Sequence, residues 1–118
     1  VFGDNYNTPD GTCVRDYIHV SDLATAHVRA LKQVESGGDN LTLNLGTSNG
    51  LSVLEVLETA KRCSGVDFKV VMGKRREGDP AVVLATAQRA YDTLGWTPEN
   101  SDVETIVNTM LAAYRANA

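Results

Sequence analysis

Two arginines and one aspartate carry the chemistry that this sequence suggests. Arg15 lies in a short run typical of a strand, and Arg76 lies in a charged loop together with Asp79. A guanidinium group presents a planar fork of donors that matches the oxygens of a diphosphate, and a carboxylate accepts hydrogen bonds from both hydroxyls of a ribose. The three residue types therefore suit a nucleoside diphosphate. Their spacing equally allows solvated loop charges and surface ion pairs, so both interpretations stay open.

No other motif for catalysis or for metal binding accompanies these residues in the sequence. A glycine-rich dinucleotide fingerprint and a Tyr-x-x-x-Lys proton-transfer pair are both missing. His19 and His27 have no partners at metal-ligand spacing, and His27 falls on an apolar helix face, which favours a core histidine. Cys13 and Cys63 are interpreted as reduced thiols. We therefore expect no catalytic residue, no metal site and no NAD site in this chain.

Composition limits the class of protein. The 118 residues suffice for one domain, and 42% hydrophobic with 22% charged residues is ordinary for a globular protein. A net charge of -4 argues against nucleic-acid binding. No apolar run reaches the length of a membrane span and no signal peptide is present, so we expect a cytoplasmic protein. The first residue is Val1, which we interpret as the start of a fragment of a longer protein.

Four helices are predicted to position the candidate residues. Apolar residues at helical spacing, followed by glycines, predict helices over about 21–36, 52–64 and 87–94, and a last helix near the carboxyl terminus. Ser21 is the expected N-cap of the first helix.

Two Ser-x-x-Glu patterns predict capping boxes. Ser52 with Glu55 would open the second helix, and Ser101 with Glu104 would open the last one.

Short strands complete the predicted fold. Alternating or β-branched runs predict strands within 14–20, 41–45 and 68–72. The fold class is therefore mixed α/β and helix-rich, with few and short strands. Such a unit would be the outer lobe of something larger, and we expect unpaired edges where a further domain docks.

A series of short strings carries a more specific signal than the isolated charges. They are Asp10-Gly11-Thr12, Val14-Arg15-Asp16-Tyr17-Ile18-His19-Val20, Asp22-Leu23-Ala24, Asn44-Leu45-Gly46 ahead of Leu51-Ser52-Val53, Arg75-Arg76-Glu77-Gly78-Asp79-Pro80, and Leu94-Gly95-Trp96-Thr97-Pro98. In this order they resemble the signature of the UDP-glucose 4-epimerases, in the extended short-chain dehydrogenase/reductase superfamily. The resemblance covers essentially the whole chain. Related sugar-nucleotide dehydratases and epimerases share a looser version.

The resemblance implies a UDP-sugar site in residues 1–118, a carboxy-terminal substrate-binding domain whose Rossmann domain is absent. The implied site residues are Phe2, Arg15, Tyr17, Val53, Arg76, Asp79 and Val83. Phe2 would lie against the uracil, Arg15 and Arg76 would bind the diphosphate, and Asp79 would bind the ribose. Tyr17 and Val53 would line the same pocket, although Tyr17 could equally be a core residue of its strand.

Val83 departs from part of the family that the chain resembles. Certain members carry a tyrosine at this position, which narrows the sugar pocket against N-acetylated hexoses. The valine therefore suggests a roomier site that also accepts UDP-N-acetylhexosamines.

The resemblance also implies what the parent protein does. It would be an NAD-dependent isomerase that interconverts UDP-glucose and UDP-galactose through a 4-keto intermediate. NAD would be bound, and a homodimer formed, by the missing amino-terminal domain. The chain alone would be inactive, with no nucleic-acid or membrane partner. Two alternatives remain: part of another nucleotide-sugar dehydratase, decarboxylase or epimerase, or a non-catalytic nucleotide-binding or interaction module.

Overall fold

Helices dominate the regular structure of residues 1–117, which are the residues that this computed structural model describes. In chain order the elements are β1 (Val14–Arg15), α1 (Val20–Glu35), β2 (Leu51–Ser52), α2 (Val53–Ser64), β3 (Val82–Val83), α3 (Gln88–Leu94) and α4 (Val103–Ala116). The predicted class, mixed α/β and rich in helix, is confirmed. No helix within residues 1–117 combines the length and the apolar character that a bilayer crossing requires.

Strand β1 lies at the centre of a small three-stranded sheet. It pairs antiparallel with β2, where Arg15 faces Leu51, and parallel with β3, where Arg15 faces Val83. The sheet therefore brings together three segments that are far apart in the sequence. It places Arg15 beside the segment that follows the charged loop.

The core centres on Trp96, whose side chain is packed against Ala26 of α1 and Ala90 of α3. Leu43 and other partly buried apolar residues complete this cluster. The indole Nε1 donates to the backbone oxygen of Asp22 at 2.9 Å, so the one polar atom of the ring is satisfied inside the core. Trp96 thus joins the first helix to the carboxy-terminal third of the chain.

The ends of α2 agree with the sequence prediction. The Ser52 hydroxyl accepts from the backbone N–H of Glu55, whose carboxylate accepts in return from the backbone N–H of Ser52. Gly65 ends the helix with a φ of 70°, a left-handed conformation that costs glycine little. The capping box and the terminating glycine are both confirmed.

The predicted caps of α1 and α4 are wrong. His19, rather than Ser21, caps α1, because its ring Nδ1 accepts from the backbone N–H of Ser21 at 2.9 Å. Asp102, rather than Ser101, caps α4 by accepting from the backbone N–H of Thr105. The hydroxyl of Ser101 instead donates to the buried carboxylate of Asp22 at 2.6 Å.

Most of the predicted strand residues form no strand. Within 14–20 only Val14–Arg15 forms a strand, and 41–45 and 68–72 are irregular. Gly73, directly after the last of these runs, forms an isolated parallel bridge with Phe2. An extended run becomes a strand only where a neighbouring backbone accepts and donates its hydrogen bonds. Leu43 and Leu45 use their alternation to pack against the Trp96 cluster instead.

The core-histidine interpretation of His27 is also wrong. The side chain is exposed on α1, and its Nδ1 donates to the backbone oxygen of Leu23 at 2.7 Å. The Ala26 side of the helix faces the core, one position around from His27.

Candidate functional site

Arg15, Arg76 and Asp79 converge on one another in the folded chain. The guanidinium Nη2 of Arg15 donates to Asp79 Oδ1 at 2.6 Å, and Nη2 of Arg76 donates to Asp79 Oδ2 at 3.3 Å. The side chains of Arg15 and Asp79 are 23% and 17% exposed, whereas that of Arg76 is 65% exposed. The carboxylate therefore sits between one sheltered and one exposed cation, and the cluster retains an excess of positive charge.

Local structure explains this convergence. Pairing of β1 with β3 places Arg15 beside the chain that leaves the charged loop, and Arg15 also donates to the backbone oxygen of Pro80 at 2.8 Å. The loop itself turns at Gly78, where φ is 76°, and the backbone N–H of Asp79 donates to the backbone oxygen of Arg76. A turn and a strand pair thus fix the three side chains together.

Electrostatics keep Asp79 ionised. Partial burial alone would raise the pKa of Asp79, but the hydrogen bond and charge of Arg15, together with the charge of Arg76, hold the pKa below its ordinary value. A carboxylate in this state accepts hydrogen bonds and cannot donate one. It is suited to hydroxyl donors such as those of a ribose.

A cavity of about 270 Å³ opens beside this cluster. Its lining consists of Val1, Phe2, Gly3, Cys13, Val53, Leu57, Arg76 and Asp79. The Cζ atom of Arg76 lies 4.8 Å from the centroid of the Phe2 ring, which is itself exposed. The cavity lining therefore combines apolar and aromatic side chains with a guanidinium group and a carboxylate, an arrangement suited to a flat ring that carries a charged tail.

Three of the sequence-predicted residues do not line this cavity: Arg15, which adjoins it through the hydrogen bond to Asp79, Tyr17 and Val83. Tyr17 lines a separate cavity of about 420 Å³, together with residues that include Thr47 and Pro98. Burial raises the pKa of Tyr17, and the nearby Cys13 adds to this effect while Arg15 opposes it. Val83 lies on β3 and is 46% exposed. The roles of Tyr17 and Val83 stay predictions.

Sequence reasoning missed two carboxylates that hold the site's scaffold. Asp10 accepts from the backbone N–H and the hydroxyl of Thr12 and from the hydroxyl of Ser52. These bonds tie the segment before β1 to the start of α2, and they hold the pKa of Asp10 below its ordinary value, the Ser52 bond most of all. The Asp10-Gly11-Thr12 string was the available signal, since aspartate two residues before a backbone donor forms a local turn.

Asp16 is the second missed carboxylate. It accepts from the backbone N–H groups of Thr47, Ser48 and Ala85 and from the hydroxyl of Thr47. It thereby joins the end of β1 to the loop before β2 and to the chain after β3. Nothing local in the sequence indicated this, because its partners are 31 to 69 residues away.

Comparison with known proteins gives consistent matches. The sequence model of the NAD dependent epimerase/dehydratase family matches residues 1–46. A UDP-glucose 4-epimerase from Azospirillum brasilense is 46% identical over 116 residues, which make up 98% of this chain and 33% of that protein.

Solved structures agree with the sequence matches. A UDP-glucose 4-epimerase from Bifidobacterium longum, crystallised in complex with NAD+ and UDP, has a TM-score of 0.89 at 39% identity, covering 99% of this chain and 34% of that one. The UDP-Glc/GlcNAc 4-epimerase from Campylobacter jejuni has a TM-score of 0.84 at 41% identity, covering 98% and 35%.

The fold and the matches indicate the class of protein: residues 1–46 match the model of the NAD dependent epimerase/dehydratase family, and nearly the whole chain aligns with enzymes named as epimerases. The chain is homologous, over nearly its whole length, to UDP-glucose 4-epimerases. The chain spans about a third of the length of the curated relatives it matches.

Proposed function

We propose that this chain is the carboxy-terminal, UDP-sugar-binding part of an NAD-dependent UDP-glucose 4-epimerase. One observation carries the proposal: Arg15 and Arg76, far apart in sequence, both donate to Asp79, and Asp79 and Arg76 line one cavity with Phe2. This arrangement matches the three parts of UDP, which are a flat base, a ribose and a diphosphate.

In the proposed complex the uracil lies against Phe2 and the diphosphate lies against the two guanidinium groups. Asp79 has room for the ribose as well, because a carboxylate offers about four lone-pair sites and the arginines occupy one on each oxygen. Val53 and Leu57 supply the apolar wall of the cavity. Each residue therefore contacts a part of the ligand that suits its chemistry.

The sequence contains no glycine-rich dinucleotide fingerprint, so the proposal places the NAD site outside this chain. In the proposed whole enzyme, NAD is held by the remaining part of the protein and supplies the hydride chemistry at the sugar. This chain binds the nucleotide part of the substrate, which lies away from the reacting carbon. Binding energy from the nucleotide then holds the substrate, while the sugar stays free to rotate in the site.

The test is calorimetric titration of the chain with UDP. Arg15→Ala and Arg76→Ala should each weaken UDP binding by about tenfold or more, since a charge-assisted hydrogen bond contributes roughly 1.5–3 kcal/mol. Arg89→Ala is the matched control, because Arg89 is exposed on α3. Equal UDP affinity in the Arg76 and Arg89 variants would contradict the proposed site.

The choice of nucleotide tests the ribose contact, and it also tests which nucleotide-sugar enzyme of the superfamily the chain belongs to. UDP should bind more tightly than 2′-deoxy-UDP, and Asp79→Asn should reduce that preference because an amide offers one acceptor oxygen where the carboxylate offers two. GDP and dTDP should bind more weakly than UDP. Tighter binding of either would favour another nucleotide-sugar enzyme of the same superfamily.

A further inference from the structure

Two segments meet at the mouth of the candidate UDP pocket. Residues 1–6 and residues 73–76 are joined by a parallel bridge between Phe2 and Gly73. The backbone N–H of Gly3 donates to the oxygen of Gly73 at 3.1 Å, and the N–H of Gly73 donates to the oxygen of Val1 at 2.6 Å. We call these two segments the clasp. They carry Phe2 and Arg76, two residues of the proposed site.

Neighbouring arginines of the clasp stack on different aromatic rings. The Cζ atom of Arg76 lies 4.8 Å from the Phe2 ring centroid, inside the pocket, and that of Arg75 lies 4.0 Å from the Tyr6 ring centroid. Neither Arg75 nor Tyr6 lines the pocket. The clasp therefore has one cation–aromatic pair that would contact the nucleotide and a second, closer pair that would not.

The second pair is tightly packed. Tyr6 is only 4% exposed, and a Cβ atom added at Gly3 would lie 2.4 Å from Cγ of Arg75 and 3.0 Å from Cε2 of Tyr6. Gly3 also has a φ of 106°, which disfavours any side chain there. The stack is thus held against the backbone of Gly3, the residue that follows Phe2.

We propose that Arg75 and Tyr6 are positioning residues of the nucleotide pocket. Their stack fixes residues 73–76 against residues 1–6, and it thereby fixes Phe2 and Arg76 at the separation in which one contacts the base and the other the diphosphate. A preorganised pair binds more tightly, because less freedom is lost on binding. The inference rests on the proposed function, since it concerns the same pocket.

The face of the Tyr6 ring performs this role, and its hydroxyl does not. The hydroxyl is buried without a hydrogen-bond partner among residues 1–117. A phenylalanine would keep the aromatic face that attracts the guanidinium group, whereas a leucine would remove it. The two substitutions therefore separate stacking from simple filling of space.

The experiment measures the UDP affinity of the chain by calorimetry and its thermal midpoint in parallel. Arg75→Ala and Tyr6→Leu should each weaken UDP binding by about tenfold, and the double variant should be little weaker than either single one. Tyr6→Phe should restore the affinity to within about twofold of the wild-type value. Lys74→Ala is the control, because it removes an equal charge from the neighbouring exposed position.

The outcomes distinguish positioning from direct binding. If Arg75→Ala weakens binding and Tyr6→Leu does not, Arg75 contacts the diphosphate itself and the inference is overturned. If Lys74→Ala matches Arg75→Ala, general charge is responsible, and the inference also fails. Arg75 is exposed, so its variant reports on binding even if Tyr6→Leu lowers the thermal midpoint. Failure of the wild-type chain to bind UDP would overturn the proposed function, and this inference with it.

Discussion

Replacement of Asp22 by asparagine tests a buried carboxylate that joins α1 to residues 99–101. Asp22 is 1% exposed, and its carboxylate accepts from the backbone N–H of Glu99 at 3.1 Å, the N–H of Asn100 at 2.9 Å and the hydroxyl of Ser101 at 2.6 Å. An asparagine amide keeps one acceptor oxygen and turns an NH₂ group towards the remaining donors. The bonds to Oδ2, from Asn100 and Ser101, are those at risk.

The expected loss follows from the number of donors left unpaired. A buried donor without a partner costs about 1–3 kcal/mol, and contributions at one site are not additive. Two such donors predict a loss of roughly 2–4 kcal/mol in the free energy of unfolding. That is a large share of the 5–15 kcal/mol typical of a folded domain.

Urea denaturation at pH 7 measures this loss directly. Asp39→Asn is the matched control, because it makes the same chemical change at an exposed side chain and should shift the free energy of unfolding by less than about 0.5 kcal/mol. UDP affinity of the folded Asp22→Asn variant should stay close to that of the wild type, since Asp22 does not line the cavity proposed to bind UDP.

The pH dependence gives a second check on the same carboxylate. Burial would raise the pKa of Asp22, but the hydrogen bonds from Ser101, Asn100 and Glu99 together hold it below its ordinary value. A carboxyl group whose pKa is lowered by folding stabilises the protein above its unfolded pKa, and this stabilisation is lost as the pH falls through the folded pKa. The gap between wild type and Asp22→Asn should therefore narrow below about pH 4. A gap under about 1 kcal/mol at pH 7, or one that does not change on acidification, would refute the reasoning.

Two further substitutions test the scaffold and the sugar specificity. Ser52→Ala should lower the free energy of unfolding by about 1–2 kcal/mol in a thermal or urea experiment, because it removes the N-cap of α2. It should also raise the pKa of Asp10 towards its ordinary value in an NMR titration, because Asp10 loses a hydrogen bond. Ser36→Ala, at an exposed position after α1, is the control and should change neither quantity appreciably. Val83→Tyr in the whole enzyme should lower turnover of UDP-N-acetylglucosamine relative to UDP-glucose, and an unchanged ratio of kcat/KM values would remove Val83 from the sugar site.

The helices could be predicted wherever their signals were local. The capping box of α2 involves Ser52 and Glu55, three residues apart, and the glycine that ends α3 directly follows it. The same logic failed for Ser101, because Asp22, 79 residues away, binds its hydroxyl and leaves the cap to Asp102. A competing partner from another part of the fold cannot be read from a four-residue pattern.

Strands were harder to predict for the same physical reason. Val14–Arg15 is a strand because β2 and β3 supply backbone partners on both of its sides. The run 41–45 has suitable residues but no strand partner among residues 1–117, so its leucines contribute to packing alone. Strand formation depends on a neighbour that local sequence does not specify.

For the candidate site as well, local sequence supplied the residue types, whereas the contacts between distant residues required the folded structure. Residue types indicated the chemistry of Arg15, Arg76 and Asp79, but only the folded chain shows that they converge. The stack of Arg75 on Tyr6 left no pattern in the sequence, since an arginine inside a charged loop is an ordinary observation. The role proposed for Arg75 depends on Tyr6, which lies far from it in the sequence.

Asp79 explains how two arginines can be held together before any anion binds. Two guanidinium groups at one mouth repel each other, and a carboxylate between them offsets that repulsion while fixing their orientation through hydrogen bonds. Its charge would also repel a diphosphate, so for a ligand made only of phosphate this gain in orientation is offset by repulsion. A ligand that brings hydroxyl donors next to its phosphates compensates for this repulsion by hydrogen bonding to the same carboxylate. Asp79 therefore suits the proposed nucleoside diphosphate better than inorganic pyrophosphate.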